Sequence, residues 1–391
     1  MLRLILKNVV WDSKALILIS QSSTVPCRGN APTRLFCTGK PLKDSTFTVS
    51  YLVDSCGLTP EAAQNACKSV HLKSAKKPDR VLRLLRDNGF TDVNISILVA
   101  RRPSLIVADL ENTLKPKFQL FASLGVPSNA VVKMFLEYPE ILNKSMDKSL
   151  LPSVDFLRNF LHTDEKIVQL INKCRGILRL NLPDAMGPNV GLLRDEGISD
   201  DLIATFLNDN PQLMSISAAR FAKIVDRVRK MWIGPKKYGF LDAISVLGSM
   251  RDKEWERKVT IFKNWGWSDA EVKAAFTKQP KCMALSENKI DKIMKYLVNI
   301  MELDPLFPAG KPNVLTLCLK NQIIPRCSVI RYLLTMGVVS KEDLEISSVL
   351  ECKEESFLKC FVRKYMEVLP ELPDLYTFCK KCAATGRSQP L

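Results

Sequence analysis

The feature that most constrains this chain is a set of markers that returns every 36 residues. Pro103 is followed at that interval by Pro139, Arg175 and Pro211, and then by Pro280 after 69. An apolar pair follows each: Leu105-Ile106, Ile141-Leu142, Ile177-Leu178, Leu213-Met214 and Cys282-Met283. Helix-stopping glycines keep the same beat at Gly89, Gly125, Gly197 and Gly266, with Leu161 in the place of one. Prolines that read as helix starters recur at Pro116, Pro152 and Pro188. Three kinds of marker sharing one period define a tandem repeat, and a period of this length is the signature of a solenoid.

Each unit is an apolar helix pattern stopped by Gly, a second one stopped by Pro, and a short apolar turn. Between Arg80 and Phe118 the first helix carries Val81, Leu82, Leu84 and Leu85, and the second Val93, Ile95, Ile97 and Leu98. Second helices open on Thr59, Ser128, Thr163, Ser199, Ser268 and Ser340, whose hydroxyls suit orphan amides. Acids in the first turn complement the positive helix end, and Ser268 with Glu271 spells a capping box, so these acids are structural rather than catalytic.

The pattern predicts an all-α, elongated solenoid of tandem repeats from residue 45 to 378, monomeric, with its first unit over Phe47–Pro78. The 69-residue step implies a degenerate unit near Val246. The stretch 304–312, with Pro305, Pro308, Pro312 and Gly310, reads as a loop interrupting the array. Residues 344–378 read as a terminal helical cap and 379–391 as a disordered tail. No uncharged apolar run approaches the length of a membrane span.

Residues 1–44 stand outside the repeat. Up to Lys43 they hold seven Lys and Arg against one acid, Asp12, with apolar pieces and a Ser/Thr/Pro stretch. This composition predicts an organelle transit peptide. The whole chain carries +16, a balance that favours a polyanionic partner.

Several stretches resemble plant members of the mitochondrial transcription termination factor family. They are Phe-Thr-Val-Ser-Tyr-Leu at 47–52, Cys-Gly-Leu-Thr-Pro-Glu at 56–61, Pro-Asp-Arg-Val-Leu at 78–82, Gly-Phe-Thr at 89–91, Leu-Lys-Pro-Lys at 114–117 and Ile-Pro-Arg-Cys-Ser-Val-Ile at 324–330. The resemblance covers roughly residues 47–375. It implies a superhelix of three-helix units whose basic concave face binds double-stranded DNA and regulates organelle transcription or termination. Organelle RNA binding in intron splicing or ribosome assembly is the alternative it allows, and a protein-interaction solenoid is a third reading. It implies residence in the mitochondrion or the chloroplast.

The strongest local signal for a nucleic-acid contact is 220–237, with seven Lys and Arg and one acid. Arg220, Lys223, Arg227 and Lys230 form one stripe of a helix, opposite Phe221, Ile224, Val225, Val228 and Met231. Adding 69 to Arg220 and Lys223 lands on Lys289 and Lys292. Lys278, Lys281 and Arg326 are further candidates, Arg326 within the family-like Pro-Arg motif. Trp232, Tyr238, Trp255, Trp265 and Trp267 lie near this region and read as helical core before stacking platforms.

Enzyme chemistry finds no motif: His71 and His162 are the only histidines, and Walker, dinucleotide and nucleophile-elbow patterns are absent. No cofactor is expected. Cys352, Cys360, Cys379 and Cys382 have irregular spacing for zinc, and the cysteines read as free, mostly buried thiols.

Overall fold

The structure is a computed structural model that describes residues 45–385 apart from Trp232 and 235–238; residues 1–44, expected as a transit peptide, Lys236, Lys237, Tyr238 and the last six residues lie outside it. The described residues are all-helical, without a strand. They form two compact bodies, one ending at Lys223 and the other beginning at Ile224.

Within the first body every unit is built alike. The leading helix ends in a left-handed residue, at Gly89, Gly125 or Gly197. The amide of the next residue then bonds back five positions: Phe90 to the Leu85 carbonyl at 3.1 Å, Val126 to Phe121 at 2.9 Å, Ile198 to Leu193 at 3.1 Å. This closure satisfies helix-end carbonyls and folds an apolar residue onto the core. The second helices span Asp92–Arg101, Ser128–Glu137, Asp164–Lys173 and Asp200–Asp209. The third element is a tight turn, Pro103–Val107 or Pro139–Asn143, whose Leu105, Ile106, Ile141 and Leu142 are buried. The second helix Asp92–Arg101 packs on Ser128–Glu137 of the next unit, and the turn Pro139–Asn143 on Ile177–Arg179.

Two markers move. Leu161 is the last residue of Leu151–Leu161 and is buried, so the left-handed turn passes to His162, at φ 64°. Where Arg175 replaces the proline, the turn shortens to Ile177–Arg179 and Arg175 pairs with Glu137 at 2.7 Å.

Pro116 and Pro152 stand in the first turn of Lys115–Ser123 and Leu151–Leu161, whereas Pro188 lies inside a helix. Asp109 and Ser145 cap the leading helices several residues upstream, and a widened turn precedes Pro116 and Pro152. There the Leu114 amide bonds to Asp109 O at 3.1 Å and Leu150 to Ser145 O at 3.0 Å, one residue further back than in an α-helix. A proline ring clashes with the carbonyl four residues behind it and offers no N–H, and the wide turn absorbs both defects. Leu182–Asp195 instead runs straight through Pro188.

The degenerate unit keeps both helices, Ala218–Lys230, whose residues from Ile224 on belong to the second body, and Phe240–Ser249, but lacks the third element: only Met250 and Arg251 precede Asp252–Asn264. The expected loop at 304–312 is a shortened unit. Glu302 takes the left-handed turn at φ 53°, Phe307–Gly310 stands for the second helix, and Pro312 opens the apolar turn with buried Val314 and Leu315. The chain stays helical past 378, since Leu372–Thr385 is one helix and its Cys379 is buried. No helix among the described residues is long and apolar enough to cross a membrane.

Candidate nucleic-acid interface

The helix Ala218–Lys230 divides as its periodicity requires. Phe221, Val225 and Val228 are buried, whereas Arg220, Lys223 and Lys230 are exposed and Arg227 is half-buried. The four bases share the solvent side but differ in commitment. Arg227 donates to Asp252 at 2.6 Å and lies 5.5 Å above the Trp255 ring centroid. Lys230 pairs with Asp226 at 2.7 Å. Arg220 and Lys223 form no ion pair among the described residues, so their charge faces solvent undiminished.

The two bases that recur at Lys289 and Lys292 part ways in the structure. Ser286, 69 residues after Ser217, accepts from the Lys289 amide at 3.2 Å. Lys289 Nζ turns inward to the Thr316 carbonyl at 2.9 Å. Lys292 is half-buried on the same helix and has no ion pair among the described residues. Lys281 pairs with Asp242 at 3.0 Å and Lys278 donates to Gly310 O at 3.0 Å.

Arg326 is a correction. Only 2 % of it is exposed, and its Nη1 donates to the carbonyls of Val349, Leu350 and Cys352 at 3.1, 2.8 and 2.8 Å. Its Nη2 reaches Glu354 at 3.2 Å, and the guanidinium lies 4.9 Å from the Phe357 ring centroid. A planar fork of donors suits a cluster of carbonyl ends, and no phosphate can reach it there.

The inner counterpart of the surface stripe is a polar column that sequence reasoning missed. Lys117, Ser153, Asn189 and Lys258 are all buried, and they are spaced by 36, 36 and 69 residues. Asn189 donates to Met214 O at 2.9 Å and Lys258 to Met283 O at 2.8 Å, equivalent positions one double period apart. Ser153 accepts from the Leu182 amide at 3.0 Å, and Lys117 donates to Thr113 O at 2.9 Å. Burial depresses the Lys117 ammonium to about 8. The signal was present in the sequence as one polar column in an otherwise apolar stripe.

Helix-start acids have partners. Asp92, Asp164, Asp200 and Asp269 each pair with the base six residues earlier, Arg86, Arg158, Arg194 and Lys263, at 2.8–3.0 Å across the turn. Arg158 holds the Asp164 carboxyl below its usual range. Two of the aromatics pack against other rings, while Trp232 and Tyr238 lie outside the described residues: Trp267 stacks on Phe262 at 4.5 Å and donates to Pro305 O at 2.8 Å, and Trp255 meets Phe276 edge-on at 5.0 Å. Among the described residues no three His, Cys, Asp or Glu side chains gather as a metal site.

Charge is concentrated along the chain. Residues 220–300 hold 18 Lys and Arg against 9 Asp and Glu. Repeated two-helix units closed by an apolar turn, with one strongly basic stretch, define an α-helical repeat protein. Residues 82–307, more than half of the chain, match the mTERF family, and the chain belongs to it. It is 21 % identical over 248 residues to transcription termination factor MTERF8, chloroplastic, of Arabidopsis thaliana, covering 62 % of this chain and 48 % of that protein. It is 21 % identical over 322 residues to transcription termination factor MTERF15, mitochondrial, of the same plant, covering 81 % and 63 %. The chain thus spans between about half and just under two thirds of these relatives.

Proposed function

We propose that this protein is an organelle nucleic-acid-binding factor that regulates transcription, including termination, and that it holds duplex DNA through the solvent face of Ala218–Lys230. The observation that carries this reading is the pair Arg220 and Lys223, exposed and without acid partners at the start of the most basic stretch of the chain. Membership of the mTERF family and the names of its plant relatives support the organelle and transcription parts. Lysine and arginine contacts to phosphate fix position and carry little base identity. Arg227 and Lys230, already neutralised by Asp252 and Asp226, add less than their number suggests.

Salt dependence tests it. Each phosphate contact releases counterions, giving a log-log slope of about −0.9 per contact on duplex DNA and about −0.7 on single strands. Arg220→Gln with Lys223→Gln shallows the duplex slope by roughly 2, whereas Arg227→Gln with Lys230→Gln changes it less. An unchanged slope in a folded Arg220/Lys223 variant removes this face from the interface, and absence of any nucleic-acid binding turns the reading to a protein-interaction solenoid. Tighter binding to RNA than to duplex DNA at the same salt concentration shifts the target to RNA.

A further inference from the structure

One row of bases in the first body has no structural task. Lys76, Lys148 and Arg220 follow one another at 72 residues, two periods, so they hold the same position in every second unit. Each lies near the start of a leading helix: Lys76 in Lys76–Asp87, Lys148 in the widened turn Met146–Leu150, Arg220 in Ala218–Lys230. All three belong to the body that ends at Lys223. Equivalent positions of stacked units fall on one face.

The three are exposed, and their side chains form no ion pair or hydrogen bond among the described residues. A base in the first turn meets the positive end of its own helix, a placement that costs stability. The intervening units show what the fold itself prefers there. Asn112 donates to Asp109 at 2.9 Å and Asp184 accepts from Asn181 at 2.5 Å, so both are held locally at the helix start.

Neighbouring charge alternates in step. Residues 72–80 hold four Lys and Arg against Asp79, residues 144–152 hold two against Asp147, and residues 216–224 hold two against no acid. Asp79 is itself engaged by the Tyr51 hydroxyl at 2.6 Å. Between them, residues 108–116 hold one base against two acids, and residues 180–188 hold Asp184 without a base. The excess is therefore positive at each member of the row and negative in the units that separate them.

Uncommitted cations repeated at a fixed step fit a partner whose anions also repeat at a fixed step. That is the phosphate backbone of a nucleic acid, not an acidic patch on a protein. We propose that Lys76, Lys148 and Arg220 form a row of phosphate contacts on alternate units, and that the nucleic acid held at Ala218–Lys230 continues along the first body through Lys148 to Lys76. The units that carry Asn112 and Asp184 contribute no phosphate contact from this position. The proposal rests on the nucleic-acid reading above and extends it from one helix to the body that precedes it.

Salt titration of the full chain on a labelled random-sequence DNA duplex tests it. Lys76→Gln and Lys148→Gln each shallow the log-log slope by about 0.9, and together by about 1.8. Both variants keep the wild-type melting temperature or raise it slightly, because no partner is lost and a base leaves the positive helix end. A base with a structural role would lower it. Lys115→Gln removes a base committed to Glu111 at 2.7 Å in an intervening unit and leaves the slope unchanged. An unchanged slope in either row variant, with a shallower one in Arg220→Gln with Lys223→Gln, overturns the row and leaves the basic helix as the contact. Equal shallowing by Lys115→Gln also overturns it, since total charge then sets the slope. A wild-type chain that binds neither duplex DNA nor RNA overturns the row together with the reading on which it rests. Where single-stranded RNA is the tighter ligand, the row variants shallow its slope by about 0.7 each.

Discussion

Lys117 shows how a single residue carries the logic of the repeat and its cost. It occupies a position that Ser153 and Asn189 fill with neutral groups in the next two units, yet it brings an ammonium into the core. Its one hydrogen bond in the structure runs to the Thr113 carbonyl, and burial lowers its pKa from 10.5 to about 8. The sign follows from proton counting. Below pH 8 both folded and unfolded chains hold the proton, and the burial cost is present in full. Between pH 8 and 10.5 the unfolded chain holds more protons, so this group's contribution to stability rises with pH. Lys117→Met should therefore stabilise the protein at pH 7 by roughly 1–3 kcal/mol. The advantage should disappear as the pH approaches 10.5. Urea midpoints measured across that range check it: parallel curves for the two proteins would show that Lys117 titrates as an exposed lysine.

The left-handed turn that joins the two helices of a unit is what keeps the period at the scale of elements. Gly125 has φ 78°, and a Cβ built there meets nothing within 4 Å. Gly125→Ala is thus a test of backbone strain alone, and it should cost about 1–2 kcal/mol in thermal or chemical unfolding. A neutral result would mean that the turn relaxes by the means used at His162, which accepts φ 64° without glycine. The ion pairs that bridge these turns, such as Arg194 with Asp200 at 2.8 Å, are exposed on both sides. Each is expected to contribute well under 1 kcal/mol, so the turn geometry and the apolar residue behind it dominate. The widened turns before Pro116 and Pro152 show the same principle: local backbone geometry bends to keep the apolar residues in register.

For the whole molecule, positive charge is concentrated in two places along the sequence. The excess over 220–300 belongs to the proposed nucleic-acid contact, and the leader 1–44 carries its own positive charge outside the repeat. Fusion of residues 1–45 to a fluorescent reporter should direct it to mitochondria or to chloroplasts, and imaging would decide between them. A reporter left in the cytosol would remove the transit-peptide reading. The relatives carry both organelle names, so the choice belongs to this experiment.

The period, the helical class and, up to Met214, the positions of second helices and apolar turns are determined by the sequence alone. Each rests on a residue whose effect is local: a glycine that tolerates positive φ, a hydroxyl that caps orphan amides, a proline that stops a helix. The basic stripe of Ala218–Lys230 is legible for the same reason, since helical periodicity places it opposite Phe221 and Val225. Which of its bases remain uncommitted was decided only by tertiary structure, because Asp252 and Trp255 reach Arg227 from another helix. Arg326 looked like its neighbours in the linear chain. Only folding brings the carbonyls of Val349, Leu350 and Cys352 around it and turns a candidate phosphate ligand into the tie that holds the end of one helix against the next unit.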